Sequence, residues 1–136
     1  MCSSDLFTIV YVAAPEEAKA MARAGADAII AHVGTTVGGS IGVKGAAVTL
    51  DEAVRRTRHI IDAARTVRKD ILFLSHGGPI ARPEDAAYIN ERTDAVGFVG
   101  ASSLERLAVE DSLTQLTQRF KKIPVRKEAL RTFRAR

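Results

Sequence analysis

Hydrophobic residues along this chain form short continuous runs that alternate with longer amphipathic stretches. Four short runs, rich in β-branched and aromatic residues, are typical of buried strands. They occupy residues 7–12, 28–33, 71–75 and 96–99. Each run is followed by a stretch in which apolar residues recur at helical spacing. The pattern therefore predicts four consecutive β-α units, which is typical of a parallel sheet covered by helices.

Two of the predicted helices begin in the same way. Pro15 and Pro83 each stand at a first helical position and are followed by acidic residues, which suit the positive end of the helix dipole. Each helix then leads to an Asp-Ala pair at the entry of the next strand, so the chain repeats itself two β-α units apart. Chance reuse of favourable helix-start chemistry is the alternative. Gly25 is expected to end the first helix.

Capping boxes predict the starts of the other two helices. Thr49 with Glu52, and Ser102 with Glu105, have the spacing at which side chain and backbone cap each other. A short turn over residues 104–107 is expected before the last helix continues to about residue 122. In that helix the side chains predicted to face the core are Leu113, Leu116 and Phe120.

The number of units indicates part of a larger architecture. A complete (β/α)₈ TIM barrel has eight units and needs about 250 residues, whereas this chain has 136. We therefore predict an α/β fold that is a TIM-barrel fragment, with a small open four-stranded sheet as the alternative. In many barrels strands seven and eight end in phosphate-binding loops, and Gly/Ser-rich segments follow the last two strands here. The four units are therefore expected to be units five to eight.

The chain divides into three predicted regions. Residues 1–6 are a polar run without turn or cap chemistry, expected to be a non-native leader, with a native but truncated start as the alternative. Residues 7–125 are predicted to be the C-terminal half of a TIM-barrel domain. Residues 126–136 are a basic tail.

Charge is concentrated in that tail. The sequence pI of 9.6 invites a nucleic-acid function, but the tail holds five of the 20 Lys and Arg residues and one of the 16 acidic residues. Subtraction leaves 15 basic and 15 acidic residues in positions 1–125. We expect a solvated tail on a neutral body, and no nucleic-acid partner.

Other aspects of composition bear on the compartment. No apolar stretch approaches the roughly 20 residues that a membrane span needs, so no membrane partner is expected. Cys2 is the single cysteine and allows no internal disulfide. This fits a reducing cytosol, and a cytoplasmic location is expected.

Two histidines occupy predicted strand ends, where the chemistry of β/α barrels lies. His32 and His76 each follow a buried run. An imidazole at such a position can donate to a substrate oxygen or move a proton near neutral pH, so both are candidate catalytic residues. A structural role in a packed region is the alternative. His59 lies among arginines in a helix and is expected on the surface.

Glycine and serine residues at the same strand ends could bind an anion. Glycines 77 and 78 would let backbone amides approach a ligand, and serines 102 and 103 open a helix whose first amides attract negative charge. Tight turns and a simple helix cap are the alternative. The predicted phosphate-binding residues are Gly34, Thr35, Gly77, Gly78, Gly100, Ser102 and Ser103.

A long glycine-rich loop, residues 34–48, follows the second strand. Such a loop could act as a lid over a ligand, and Lys44 within it could meet an anionic substrate or be an ordinary solvated lysine. None of the strand-end clusters contains a carboxylate. We therefore predict no metal ligand in this chain, and Mg²⁺, if used, would need oxygen ligands from an absent N-terminal half.

Three segments in this order resemble the phosphoenolpyruvate hydrolase-like TIM-barrel family, whose members are also described as predicted signal-transduction barrels. They are AHVGTTVGG (31–39), SHGGPI (75–80) and GFVGASSLER (97–106). The resemblance runs from about residue 7 to residue 125 and covers the family's C-terminal half. It implies a fold related to enzymes of phosphoenolpyruvate and phosphonopyruvate, which handle small anions with Mg²⁺. In some relatives an ATP-binding module of the plant antiviral resistance type precedes the barrel.

The resemblance leaves three functions open. The first is an enzyme, a hydrolase or lyase, that acts on a small phosphorylated or phosphonate keto-acid in the full-length protein, the fragment itself being inactive. The second is a non-catalytic sensor that binds the same kind of anion, and the third is a structural domain with an empty site. A homo-oligomer is expected, because half a barrel leaves two sheet edges unpaired.

Overall fold

The chain forms an α/β structure around one parallel sheet. A computed structural model describes residues 6–39 and 48–124. The sheet order is β1-β2-β3-β4, with the strands at Ile9–Val12, Ala28–His32, Leu72–His76 and Gly97–Phe98. The helices are α1 (Pro15–Ala24), α2 (Leu50–Arg65), α3 (Pro83–Arg92) and α4 (Ala108–Lys121), and a π-helical segment (Ser103–Leu107) leads directly into α4. The predicted succession of β-α units and the parallel sheet are confirmed.

Some of the features predicted from the sequence lie outside the described residues. Apart from Leu6, the predicted leader lies outside the described residues, and so do the basic tail and Lys44. None of the described helices is long and apolar enough to cross a membrane.

Alternate strand residues build the core on the helix side of the sheet. Because side chains alternate along a strand, each strand presents one set of residues to the helices and another to the opposite side. Val12, Ile29 and Phe73 belong to the first set and are at most 2% exposed. They pack with apolar residues of α1 and α2, such as Ala18 and Ile60. The helices α1, α2 and α3 follow one another across this face.

The opposite face of the sheet is apolar, with exposed side chains on β1 and β3, while Ala28 and Ile30 of β2 between them are 1% and 3% exposed. The strand register places Ile9, Ala28 and Leu72 in one row across it. Ile9 and Leu72 are about half exposed, and so is Tyr11 in the next row. A sheet face of this kind needs a further layer to remove it from water. We refer to it as the helix-free face.

The repeated helix start is reproduced in atomic detail. A carboxylate oxygen of Glu17 accepts hydrogen bonds from the two backbone amides before Pro15, at 2.7 and 3.2 Å. Asp85 does the same for the two amides before Pro83, at 3.1 and 2.9 Å. Gly25 ends α1 in the left-handed conformation, with φ at 95°, as predicted. Both helices therefore use a proline and an acid two residues later to satisfy the backbone at their starts.

The start and the inner face of α2 also follow the prediction. The hydroxyl of Thr49 accepts a hydrogen bond from the Glu52 amide at 3.2 Å. His59 is exposed among the arginines of the outer side, as expected. The apolar residues that recur at helical spacing along α2 and are buried are Ala53, Val54, Ile60, Ile61 and Ala64.

The predicted capping box at Ser102 is wrong. Ser102 has helical backbone angles, with φ at −54° and ψ at −27°, and its side chain makes no capping hydrogen bond. The amide of Glu105 donates instead to the carbonyl of Ala101 at 2.8 Å. The helical turn thus begins one residue earlier than the box requires, so the Ser102 hydroxyl is not at the capping position.

The predicted burial of the last helix is also wrong. None of the residues of α4 is buried, and Leu113, Leu116 and Phe120 are 60%, 49% and 64% exposed. Helical periodicity shows that these side chains share one face. It does not show that another element of the same chain covers that face, and no described element does.

Candidate functional site

The two predicted histidines meet at the carboxyl ends of neighbouring strands. His32 and His76 are register partners on β2 and β3, and their ring centroids lie 5.1 Å apart. Tyr11 of β1 joins them edge-on, with its ring centroid 6.0 Å from that of His32 and 5.1 Å from that of His76. Tyr11 pairs with Ile30, two residues before His32, so all three rings lie on the helix-free face. We call them the Tyr-His-His cluster.

The His76 ring is held in one orientation. Its Nδ1 lies 2.7 Å from the carbonyl oxygen of Val99, just beyond β4. A carbonyl oxygen can only accept, so Nδ1 carries the proton of the neutral ring and Nε2 is left as the acceptor. The Phe98 ring stacks against the His76 ring, with the two ring centroids 6.5 Å apart. Nε2 is therefore the nitrogen of His76 that remains to contact a ligand.

His32 is favoured in its neutral form. Partial burial lowers the pKa of His32 from its ordinary value of 6.5, and repulsion from His76 lowers it further, against an opposing backbone hydrogen bond. Burial acts because the charged imidazolium loses hydration. Near neutral pH His32 is thus an uncharged ring with one N–H to donate.

This electrostatic arrangement predicts a measurable titration. The NMR titration midpoint of His32 should lie below 6.5, and His76→Asn should raise that pKa because it removes the repelling charge. The free energy of unfolding should fall as the pH drops below 6.5, because the unfolded chain then binds the proton more tightly than the folded chain does. A His32 midpoint that does not respond to His76→Asn would contradict the coupling.

Predicted glycines bring the β2 and β3 ends into direct backbone contact. The Gly78 amide donates to the Gly34 carbonyl at 2.6 Å. At Gly77 φ is +79°, and an added Cβ would lie 2.2 Å from the Gly34 oxygen and 3.7 Å from Nε2 of His32. The glycines therefore allow the two loops to touch beside the histidines. Because the Gly78 amide is already engaged with Gly34, it is not free to bind an anion.

The segment after β4 is linked to the same region. The Val99 carbonyl that orients His76 lies three residues before Ser102. Ser103 is 8% exposed, and its hydroxyl has no hydrogen-bond partner among the described residues. In this turn the amides of Leu104 and Glu105 both donate to the Ala101 carbonyl, at 2.9 and 2.8 Å, so only the amides before them are candidates for binding an anion. The turn thus keeps polar groups that a small anion could engage.

Two further predicted residues have simpler surroundings. A Cβ on Gly100 would meet the Leu104 side chain at 2.5 Å, so this glycine makes room for the turn that follows. Thr35 is exposed, and the described residues provide no contact that draws it into the cluster. The structure therefore brings together His32, His76, Gly34, Gly77 and Gly78, and leaves Thr35 apart.

Two residues of this region were not among the predicted site residues. Tyr11 is the next-to-last residue of the first apolar run and touches both histidines. Strand alternation would have placed it on their face once the register was known. Arg106 donates to the Gly38 carbonyl at 3.1 Å and to Glu110 at 3.2 Å. It thereby ties the β2 loop to the π-helical segment, and nothing in the sequence indicates that contact.

The residues at the site do not fit Mg²⁺. Mg²⁺ prefers an octahedral set of oxygen ligands, chiefly carboxylates and water. The Tyr-His-His cluster offers two imidazoles and a phenol, and within residues 6–39 and 48–124 there is no group of three or more His, Cys, Asp and Glu placed to hold a metal ion. The polar groups of the cluster are two imidazoles and a phenol, which form hydrogen bonds.

A separate open cavity of about 340 Å³ lies elsewhere, between α2 and α3. Its lining includes Arg58, Asp62, Glu91, Arg92 and Asp94, and it contains none of the predicted site residues. Basic and acidic groups are mixed around it, so it has no clear preference for an anion.

Comparison with protein families and curated proteins places the chain among known relatives. The profile of the family described as "Phosphoenolpyruvate hydrolase-like" matches residues 2–123. The "ToMV resistance protein Tm-1(GCR237)" of Solanum lycopersicum is 51% identical over 119 residues, which are 87% of this chain and 16% of that protein. The "Putative transcriptional regulatory protein y4pA" of Sinorhizobium fredii is 31% identical over 88% of this chain and 19% of its own length.

The chain thus spans less than a fifth of each of these curated relatives. Among solved structures, the nitroalkane oxidase from Streptomyces ansochromogenes is similar, with 29% sequence identity and a TM-score of 0.44. That similarity covers 72% of this chain and 28% of the oxidase chain.

Proposed function

The chain belongs to the phosphoenolpyruvate hydrolase-like family, and from that premise we propose that it forms the part of a TIM barrel that binds a small phosphorylated or phosphonate keto-acid. The observation that carries the proposal is the Tyr-His-His cluster. Two imidazoles and a phenol converge where neighbouring parallel strands end, on the helix-free face. In β/α barrels this end of the strands carries the chemistry.

The sheet supports the barrel part of the proposal. The strands follow one another in chain order, and α1, α2 and α3 cover a single face. This winding is the one used by barrels, whereas doubly wound sheets carry helices on both faces. The apolar helix-free face would become the barrel interior when four further units close the sheet. The four units are proposed as units five to eight.

The described groups suit an anion by hydrogen bonding. Nε2 of His76 binds a proton in the charged ring and then donates to a phosphate or carboxylate oxygen, while Nδ1–H stays on the Val99 carbonyl. The neutral His32 donates a second N–H. The first amides of the turn at Ser102 and Ser103 can contribute further donors, as helix N-termini do for phosphates.

A hydrolytic step would use His76 in its neutral form, with the anion held by His32 and the turn amides. Nε2 would accept a proton from a water whose oxygen bonds to phosphorus, and would return that proton to the oxygen released when the P–O bond to the keto-acid breaks. No step of this proposal runs through Mg²⁺. If the longer protein uses that ion, its oxygen ligands come from residues other than the described ones.

A second candidate is a sensor that binds the anion without converting it. The Tyr-His-His cluster consists of two imidazoles and a phenol, which are sufficient to bind an anion by hydrogen bonds. The regulatory name of the relative y4pA supports a similar role for this chain. In either case we propose a cytoplasmic protein, with an ATP-binding module upstream in the longer parent.

Histidine NMR tests where the ligand binds. Phosphoenolpyruvate titrated into the ¹³C,¹⁵N-labelled chain should shift the ring signals of His32 and His76 in a saturable way. Affinity should be weak, in the millimolar range or about 4 kcal/mol, because the site is open on one side. His59 lies exposed on α2 and serves as the internal control that should not move.

The pattern of shifts decides the outcome. Equal shifts of the ring signals of all three histidines would indicate a bulk pH or salt effect. That result would contradict ligand binding at the Tyr-His-His cluster. Saturable shifts without loss of phosphoenolpyruvate in the ³¹P spectrum would favour the sensor over the enzyme.

A further inference from the structure

Arg106 joins the loop after β2 to the segment after β4. Its Nη1 donates to the Gly38 carbonyl at 3.1 Å and to a carboxylate oxygen of Glu110 at 3.2 Å. The side chains of Arg106 and Glu110 are 19% and 27% exposed, so water screens this ion pair less than a pair on the open surface. The bond from Arg106 to Gly38 is therefore charge-assisted and has a partly buried donor.

The loop after β2 is held from a second side by the loop after β3. We call residues 34–39 the β2 loop. The Gly78 amide donates to the Gly34 carbonyl at 2.6 Å, and the Val37 amide donates to the Gly78 carbonyl at 3.1 Å. Gly38 comes next along the chain and accepts the bond from Arg106. The β2 loop thus bridges the ends of β3 and β4, with Arg106 as a contact on the β4 side.

Gly39 leaves room for the ion pair of Arg106 and Glu110. Its φ is +74°, and an added Cβ would lie closer than 3.0 Å to the side chains of Arg106, Leu107 and Glu110. At Gly38 φ is +92°, but an added Cβ would lie 3.8 Å from Cδ2 of Leu107, which is an ordinary van der Waals distance. The two neighbouring glycines therefore share a positive φ and differ in their contact with the ion pair.

Both parts of the proposed anion site are close to this contact. On one side the Gly34 carbonyl packs on Gly77, where an added Cβ would lie 3.7 Å from Nε2 of His32. On the other side Ser103, whose buried hydroxyl has no partner among the described residues, belongs to the same π-helical segment as Arg106. π-Helical turns are rare and often occur at functional sites.

We infer that Arg106 is a positioning residue of the proposed anion site. By tying the β2 loop to the π-helical segment, it fixes the strand-end histidines relative to the turn at Ser102 and Ser103. A ligand that bridges the two parts would otherwise have to order the loop itself, at a cost in conformational entropy. The inference rests on the proposed function, because a positioning role requires a ligand.

Variants of two arginines separate hydrogen bonding from packing and from charge. Arg106→Met keeps an unbranched side chain and removes its donors. Arg106→Lys restores a positive donor, and one ammonium group can replace the guanidinium because a single nitrogen makes both contacts. Arg82→Met is the control for charge, since Arg82 is exposed and follows the β3 loop at the same end of the sheet.

Each variant is measured without and with ligand. Hydrogen exchange of the Val37 amide reports whether the β2 loop stays on the β3 loop, and phosphoenolpyruvate titration, read from the ring signals of His32 and His76, reports the affinity. Arg106→Met should raise the exchange rate and the dissociation constant at least fivefold each. Arg106→Lys and Arg82→Met should stay within twofold of the unmodified chain. Methionine would replace a side chain needed only for packing, so rescue by lysine alone identifies the bonding role.

Gly39→Ala tests the same contact with both charges of the ion pair retained. The new Cβ would displace the side chains of Arg106 and Glu110, whereas Gly38→Ala introduces backbone strain without that displacement. Gly39→Ala should therefore raise the dissociation constant at least threefold more than Gly38→Ala does. In the Arg106→Met background the two alanine variants should behave alike, because the contact that distinguishes them is gone.

The results distinguish a failure of this inference from a failure of the proposed function. If the unmodified chain binds phosphoenolpyruvate and Arg106→Met binds it equally tightly, the inference is wrong and the proposed function stands. Equal weakening in Arg82→Met, or no rescue in Arg106→Lys, would also overturn the inference. If the unmodified chain shows no saturable histidine shifts, the proposed function is wrong and the inference falls with it.

Discussion

Gly77→Ala should lower the free energy of unfolding by about 2 to 4 kcal/mol. Two effects add at this position. The backbone has φ at +79°, where a side chain is strained, and the new Cβ would stand 2.2 Å from the Gly34 carbonyl oxygen. The oxygen belongs to backbone that also receives the Gly78 amide, so it cannot retreat without breaking that bond. The contact between the β2 and β3 loops should open.

Gly25→Ala provides the matched control for backbone strain. Gly25 also has a positive φ, at +95°, but an added Cβ would meet nothing within 4 Å. This variant should lose about 1 to 2 kcal/mol from strain alone. Urea unfolding of both variants separates the two effects. Equal losses at Gly25 and Gly77 would show that the close approach to Gly34 has no energetic weight.

Replacing both cluster histidines with asparagine should weaken phosphoenolpyruvate binding at least tenfold, about 1.4 kcal/mol or more. Asparagine can keep a side-chain N–H near the position of Nδ1, and so the bond to Val99 in the case of His76→Asn, but it removes Nε2. Hydrogen bonds to charged groups are worth about 1.5 to 3 kcal/mol each, so losing two should abolish detectable binding.

The control is His59→Asn, which changes an exposed histidine on α2. It should leave the affinity unchanged in the same NMR titration, read from backbone amide signals near the β2 and β3 ends. If His32→Asn/His76→Asn binds as tightly as His59→Asn, the cluster is not the anion site.

Much of the fold is encoded locally, and those parts could be predicted from the sequence. Pro15 and Pro83 with the acids after them fix two helix starts, and Gly25 fixes an end, because the responsible groups lie within a few residues of one another. Strand identity followed from the apolar runs. Strand bounds differ by one or two residues, since pairing with a neighbouring strand, not the run itself, decides where β1 and β4 begin.

The last unit shows where local reasoning fails. The pattern of α4 correctly identifies one apolar face, but Leu113 and Phe120 are exposed. Whether a face is buried depends on which other element reaches it, and that information is not contained in the period of the helix. The same holds for Ser102, where a hydrogen bond from Glu105 to Ala101 moves the helix start.

The candidate site was predictable in part for a related reason. His32 and His76 could be singled out because residues at the ends of parallel strands gather at one edge. Tyr11 requires the β1-β2 register, and the role of Val99 requires the tertiary contact with His76. The tight packing of Gly77 on Gly34 likewise depends on how two loops cross, which spacing along the chain does not specify.

A crystal structure of the chain with phosphoenolpyruvate would test the central claim most directly. The claim is that the Tyr-His-His cluster binds a small phosphorylated anion. The account predicts a phosphate or carboxylate oxygen about 3 Å from Nε2 of His76, with His32 as a second donor. An anion bound instead among the arginines of α2, with the space beside His32 and His76 empty, would contradict it.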